Sequence, residues 1–240
     1  MSAQLLEGGP VAEAVLDDVR TRVDALKAAG ITPGLGTILV GDDGASAGYV
    51  RKKHETCELV GIASHHIQVV AGDPPAALDE AVANFNEDPT VHGYIIQHPV
   101  ADGFDFNAAL LAMDPAKDAD GLHPTNLGRL VLQEDGPVPC TPAGIQALFV
   151  HYDIEISGKH VVVIGRGPTL GRPLSLLLTT KAPGANAAVT VVHSAVPDLA
   201  DLTREADIAV TYGVDAIPPL LDGDLIEQHQ SGVDQFIPVF

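Results

Sequence analysis

Tyr49 and Lys53 stand four residues apart, the spacing that puts two side chains on one face of an α-helix. Lys53 closes the run Arg51-Lys52-Lys53, the densest basic cluster in an otherwise acidic chain. Such a cluster is either a solvated helix face or the edge of a cleft. At a cleft edge, desolvation or a second cation lowers a lysine pKa until the amine exchanges protons near neutrality. The company favours the cleft: Tyr49 offers a flat ring to a planar substrate, and Gln97 and Asp120 bring donors and acceptors after later strands. A carboxylate such as Asp120 can accept from a ring N–H and an exocyclic amine together. Asp118 and Asp120, with Asp114 nearby, invite a divalent cation, but no histidine or further carboxylate follows at a spacing that completes a site. Beside Gly121 such carboxylates are commonly turn formers, and no metal is expected.

A second chemistry-bearing stretch runs from His160 to Pro173, where the apolar run Val161-Val162-Val163-Ile164 breaks into Gly165, Gly167 and Gly171 before Leu174–Leu178 resumes it. The pattern predicts a buried strand, a tight turn and a helix start, the arrangement that points backbone N–H groups at a phosphate. Its spacing is one residue longer than G-x-G-x-x-G, so a βα turn without a ligand fits it equally. The strand expected over Val189–Val192 ends at His193-Ser194-Ala195, with no acidic residue to hold a ribose 2′-hydroxyl. That leans the stretch towards NADP. Arg166 and Ser194 could meet the extra phosphate, or Arg166 could face the pyrophosphate or solvent.

The elements that must position these groups alternate. Apolar spacing predicts a helix over Val11–Ala28, a strand over Leu35–Val40, a helix capped by Ser46 and carrying Tyr49, Lys53 and Cys57, and a strand over His66–Val70. A helix over Ala76–Phe85, a strand over Val91–Ile96 running into Gln97-His98-Pro99, and a short helix over Phe104–Met113 follow. Thr141-Pro142 reads as the start of a helix to His151, and the domain boundary is placed near it. Beyond it come the glycine turn, a helix near Asp198–Ala206 and a strand over Ile208–Thr211, roughly half a dinucleotide-binding fold. This is the α/β pattern with a largely parallel sheet.

Composition narrows the function classes. The chain has 240 residues, 32 acidic and 13 basic, for a net charge of −19, which argues against nucleic acid and anionic membranes as partners. With no tryptophan and 4% aromatic residues, its cores must be aliphatic. Cys57 and Cys140 lie far apart and suggest neither a disulfide framework nor a zinc cluster. Without a basic start leading into an apolar segment, or a run long enough to span a bilayer, a cytoplasmic protein is expected. His65, His66, His92, His98 and His123 share no metal-ligand spacing with a cysteine.

Taken in order, Pro33–Lys53, Asn86–Gln97, Asp114–Gly128, Pro139–Gly144, Gly158–Pro173 and Ala206–Val210 resemble the bifunctional methylenetetrahydrofolate dehydrogenase/methenyltetrahydrofolate cyclohydrolase family. The resemblance implies an N-terminal α/β folate-binding catalytic domain over 1–140 and a C-terminal Rossmann-like NAD(P)-binding domain over 141–240. It implies Lys53 as the general acid/base of hydrolysis, Gln97 holding that lysine, Tyr49 stacking along the folate, and Asp120 gripping the pterin. NADP would sit on Gly165, Arg166, Gly167, Gly171, His193 and Ser194. The family works as a homodimer without an essential metal, oxidising 5,10-methylenetetrahydrofolate and hydrolysing the methenyl product to 10-formyltetrahydrofolate.

Departures from the family pattern are also visible. Gln-Leu-Pro-Leu-Pro becomes Gln97-His98-Pro99-Val100-Ala101, Gly-Arg-Ser becomes Gly165-Arg166-Gly167, and the basic residue and threonine after His-Ser become Ala195 and Val196. After Gly213 a strand, a glycine-rich loop and a helix are expected but not found, with Ile237-Pro238-Val239 echoing the start of that loop, so the second domain reads as truncated. The expected consequence is a weaker dehydrogenase than cyclohydrolase. The alternative is a degenerate family member that binds folate or a protein partner with one or both activities lost.

Overall fold

The computed structural model describes residues 6–212 and 235–239. The chain divides into two compact units, Ala12–Gly128 and a second made of Met1–Val11 with Arg129–Phe240. The division thus falls at Gly128–Arg129 rather than near residue 140. The second unit also takes in the N-terminal stretch, because Leu6 packs into its core and Tyr152 donates its hydroxyl to the Glu7 carbonyl at 2.8 Å.

In chain order the Ala12–Gly128 unit carries α1 (Gly8–Ala28), β1 (Gly34–Val40), α2 (Gly44–Val60), β2 (Ala63–Val69), α3 (Ala76–Glu87), β3 (Gly93–Ile96) and α4 (Phe106–Ala112). A 3-10 turn at Pro115–Lys117 and α5 (Pro124–Leu132) follow, with α1 and α5 each crossing a division between the units. The sheet order is β2-β1-β3, and both pairings are parallel. Central β1 is almost wholly buried, whereas the outer strand β2 alternates half-buried and exposed residues up to Val69. That difference is what one open edge predicts. Gly36 lets α3 approach: a Cβ there would lie 2.7 Å from the Phe85 ring and 2.8 Å from Tyr94 Cβ. Phe85 and Tyr94 meet edge to face at 5.3 Å and anchor a core with Ile38, Leu78, Val82 and Ile96.

The second unit carries α6 (Cys140–His151), β4 (His160–Ile164), α7 (Gly171–Leu178), β5 (Ala188–Val192), α8 (Leu199–Arg204), β6 (Ile208–Tyr212) and β7 (Gln235–Val239). Its four strands run parallel in the order β5-β4-β6-β7. Val161, Val163, Leu174 and Val210 are buried around Phe149, each apolar side chain contributing about 1.5–3 kcal/mol. The two α/β units match the sequence reading of two α/β domains.

Several local expectations are corrected. The cap of α2 is Asp43, whose carboxylate accepts the Ser46 N–H at 2.7 Å, so Ser46 sits buried inside the first turn. Helix α6 begins at Cys140 behind Pro139, with no side-chain cap, ahead of the Thr141-Pro142 start. Ile237–Val239 lie in β7, paired with Val210–Tyr212, rather than opening a loop. The reading of the second domain as truncated, with the strand, loop and helix expected after Gly213, falls on 213–234, which lie outside the described residues.

Candidate active site

Helix α2 presents the basic cluster, and both its ends are fixed. Its N-terminal cap holds the Asp43 carboxyl below the usual carboxylate range through the Ser46 N–H bond. At the other end Gly61 takes the left-handed conformation (φ 79°) and returns its N–H to the Cys57 and Glu58 carbonyls. Between these points Tyr49 is 62% exposed, leaving its ring open to stacking.

Lys53 is half-buried and donates from Nζ to Gln97 Oε1 at 2.7 Å. Gln97 follows β3, and its own N–H is bonded to the Ile38 carbonyl of β1 at 2.8 Å. Its amide nitrogen donates to the His98 carbonyl at 2.9 Å, which fixes the amide so that oxygen faces the lysine. The pair therefore lies where the chain leaves β1 to one side and β3 to the other, at the carboxyl ends of the strands. The peptide between His98 and Pro99 is cis, and the His98 ring packs edge-on against Phe106 at 5.0 Å.

Asp120 stands half-buried in a loop whose shape is set by residues on either side. Asn86 of α3 accepts from the Tyr94 hydroxyl at 2.8 Å and from the Asp114 N–H at 2.9 Å, and donates to the Ala112 carbonyl at 2.9 Å. Burial first, then the Asp114 and Asp118 carboxylates, raise the Tyr94 pKa, so its hydroxyl stays a donor. Lys117 donates to the Phe85 and Asp88 carbonyls, both at 2.8 Å, covering the end of α3.

The hub of this loop is Asp118, 2% exposed. One of its oxygens accepts the Gly121 N–H at 2.9 Å, and the other accepts the His123 N–H at 2.8 Å and the Asn126 side-chain amide at 2.9 Å. These three donors satisfy both oxygens of the buried carboxylate, which shapes the chain around it. Gly121, with φ 69°, makes the left-handed turn that this requires. Asp118 is thus a turn former, and the turn it holds sets the place of Asp120 two residues on.

A polar cluster on α2, β1 and β2 was not anticipated from the sequence. Thr37 Oγ1 lies 3.1 Å from His54 Nε2 and 3.0 Å from His66 Nδ1, and Ser64 is bonded to His54 Nδ1. Burial, then the neighbouring His66, hold the His54 pKa below its ordinary value. Among the described residues no group of three or more His, Cys, Asp or Glu is arranged to hold a metal ion. No described helix is long and apolar enough to cross a membrane.

In the second unit the glycine turn joins β4 to α7 as the sequence predicts. Gly165 has φ 128°, a conformation that side chains disfavour, and a Cβ on Gly171 would lie 2.1 Å from the Gly165 carbonyl oxygen. The turn can therefore close on the helix only with glycine at 171. A Cβ on Gly165 or Gly167 would meet no atom within 4 Å, so the front of the turn is open space. Arg166 reaches from the turn to His193, just after β5, with 3.2 Å between Nη1 and Nε2. The Ala195 N–H also faces His193, at 3.3 Å from Nδ1, and Ser194 stands between them in the chain. Open backbone beside a guanidinium and a hydroxyl suits a phosphorylated dinucleotide.

Comparison with known proteins agrees with this geometry. The model of the tetrahydrofolate dehydrogenase/cyclohydrolase catalytic domain matches residues 6–120, and that of the family's NAD(P)-binding domain matches 139–235. The bifunctional protein FolD of Syntrophotalea carbinolica is 64% identical over 226 residues, 94% of this chain and 77% of the relative. Among solved structures, the bifunctional FolD enzyme of Campylobacter jejuni is 34% identical with a TM-score of 0.83, over 88% of this chain and 73% of that one. The Trypanosoma brucei FolD complexed with NADP and an inhibitor is 37% identical with a TM-score of 0.81, over 88% and 72%. The chain belongs to the tetrahydrofolate dehydrogenase/cyclohydrolase family.

Proposed function

We propose that the chain oxidises 5,10-methylenetetrahydrofolate to the 5,10-methenyl form with NADP and hydrolyses that product to 10-formyltetrahydrofolate. The observation that carries the residue roles is the 2.7 Å bond from Lys53 to Gln97 in the unit matched by the family's catalytic-domain model. In hydrolysis, Lys53 Nζ moves the proton of the attacking water, and Gln97 orients the amine through Oε1. Tyr49 supports the planar folate by stacking, and Asp120 accepts from the N–H donors of the pterin.

Bound NADP supplies the hydride acceptor for the oxidation. The chain would hold it by the backbone of Gly165 and Gly167, with Gly171 closing the turn and Arg166, His193 and Ser194 offering donors for its phosphates. The absence of an acidic residue directly after β5 removes the usual ribose anchor of an NAD site and leaves room for a 2′-phosphate. The reading includes a homodimer in the cytoplasm, supported by the resemblance to the family.

With 5,10-methylenetetrahydrofolate and NADP, the absorbance of the methenyl product should rise and then decay. Lys53→Met should remove the decay, lowering hydrolysis by about 10²-fold or more, while folate binding by calorimetry stays near that of the parent. Unchanged hydrolysis would refute the role of Lys53.

A further inference from the structure

Consecutive residues of an α-helix project about 100° apart, so Lys53 and His54 leave α2 in two directions. Lys53 reaches Gln97 beyond β3. His54 reaches Thr37 on β1 through Nε2, at 3.1 Å, and Ser64 on β2 through Nδ1. Thr37 is 2% exposed and its oxygen is itself held by His66 Nδ1 at 3.0 Å, so the His54 tether ends on a fixed point of the sheet.

The apolar grip on this part of α2 is thin. The helix buries Ser46, Val50, Cys57 and Val60, and none of residues 51–56 is fully buried. The caps at Asp43 and Gly61 fix the ends of the helix but resist rotation about its axis poorly. Two side-chain tethers pointing about 100° apart resist it directly. A rotation of about 10° displaces an atom at the ~5–6 Å outer radius of a helix by ~1 Å. Misplacing a reacting group by ~1 Å can cost on the order of 10²-fold in rate.

We infer that His54 is a positioning residue for the hydrolytic step: its bonds to Thr37 and Ser64 set the rotation of α2 that delivers Lys53 Nζ to Gln97. The inference rests on the role proposed above for Lys53. His54 acts through hydrogen bonding rather than proton transfer, so a neutral side chain of similar reach can replace it.

The test is steady-state hydrolysis of the methenyl substrate by the full chain. His54→Leu removes both bonds, Thr37→Val removes the hydrogen-bonding partner on the sheet side with little change of volume, and His54→Gln keeps a polar tip within reach of Thr37. His54→Leu and Thr37→Val should each lower kcat about 10-fold or more with KM within about twofold, and His54→Gln should recover most of that loss. Thr37→Val keeps the inference open to refutation if His54→Leu folds poorly. A kcat within about twofold of the parent for folded Thr37→Val, a loss carried by KM alone, or no recovery in His54→Gln overturns it. Lys53→Met run alongside separates the two claims: if it keeps hydrolysis, the role of Lys53 fails and this inference with it. If Lys53→Met loses hydrolysis while the His54 and Thr37 variants keep theirs, only the inference about His54 fails.

Discussion

In the Ala12–Gly128 unit the groups proposed to meet substrate are held by other side chains, a glutamine on the lysine and a buried carboxylate under the loop of Asp120. In the second unit the cofactor turn is made by the backbone of three glycines, with Arg166 and His193 as its side-chain contact. The two constructions fail differently. A side-chain scaffold loses one bond at a time and can be rescued by a residue of like chemistry, whereas a backbone scaffold tolerates no added atom at its tight point and accepts almost anything at its open one.

The sharpest way to break that contrast is Gly171→Ala. Its Cβ would lie 2.1 Å from a backbone oxygen that cannot move without opening the turn. The expected cost is about 3 kcal/mol or more, read by thermal melting, with loss of NADP binding and of dehydrogenase activity. Hydrolysis measured below the melting temperature should survive, because Lys53 and Gln97 belong to the other unit. Retention of NADP affinity would show the turn to be more yielding than its geometry indicates.

Asp118→Asn probes the other construction with a change of a single atom type. The amide turns an NH2 group towards donors that met a carboxylate oxygen, leaving at least one buried N–H without an acceptor. A loss of about 1.5–3 kcal/mol in chemical denaturation is expected, with a higher KM for folate as the loop of Asp120 loosens. An unchanged KM would separate Asp118 from substrate binding. The smallest effect is expected from Gly167→Ser, placed where a Cβ meets nothing within 4 Å and the backbone is not left-handed. A hydroxyl facing the phosphates should tighten NADP binding by about 0.5–1.5 kcal/mol, a roughly two- to tenfold lower Kd by calorimetry.

How much of this was legible in the sequence depended on the range of the interaction. The run Val161–Ile164 breaking into glycines announced β4, the turn and α7, because strand, turn and helix are neighbours in the chain. Lys53 with Gln97, and the loop around Asp120, were reachable through the ordered segments that match the family. Helix α5 was not: Pro124-Thr125-Asn126 and Gly128 are turn formers by composition, and only the burial of Asn126 at 0%, bonded to Asp118 and the Pro115 carbonyl, makes them helical. The His54 cluster escaped for a related reason. Its partners lie 17 residues back on β1 and 10 residues on in β2, and periodicity does not tell which strands a helix will face. The position of Asp43 ahead of Ser46 was readable in principle, since both are good caps and only the start of α2 chooses between them.

Leu6 and Glu7 belong to the unit that contains Tyr152, although the whole Ala12–Gly128 unit lies between them in the chain. During synthesis at about 5–20 residues per second, Glu7 must wait roughly 7–30 s for a partner 145 residues downstream. The intervening unit can be complete by then, since all three of its strands pair within it. The second cannot finish its core until an earlier piece of the nascent chain is brought back to it. The ribosome can therefore deliver a finished first unit, with the segment ahead of it still to be used in closing the unit that follows.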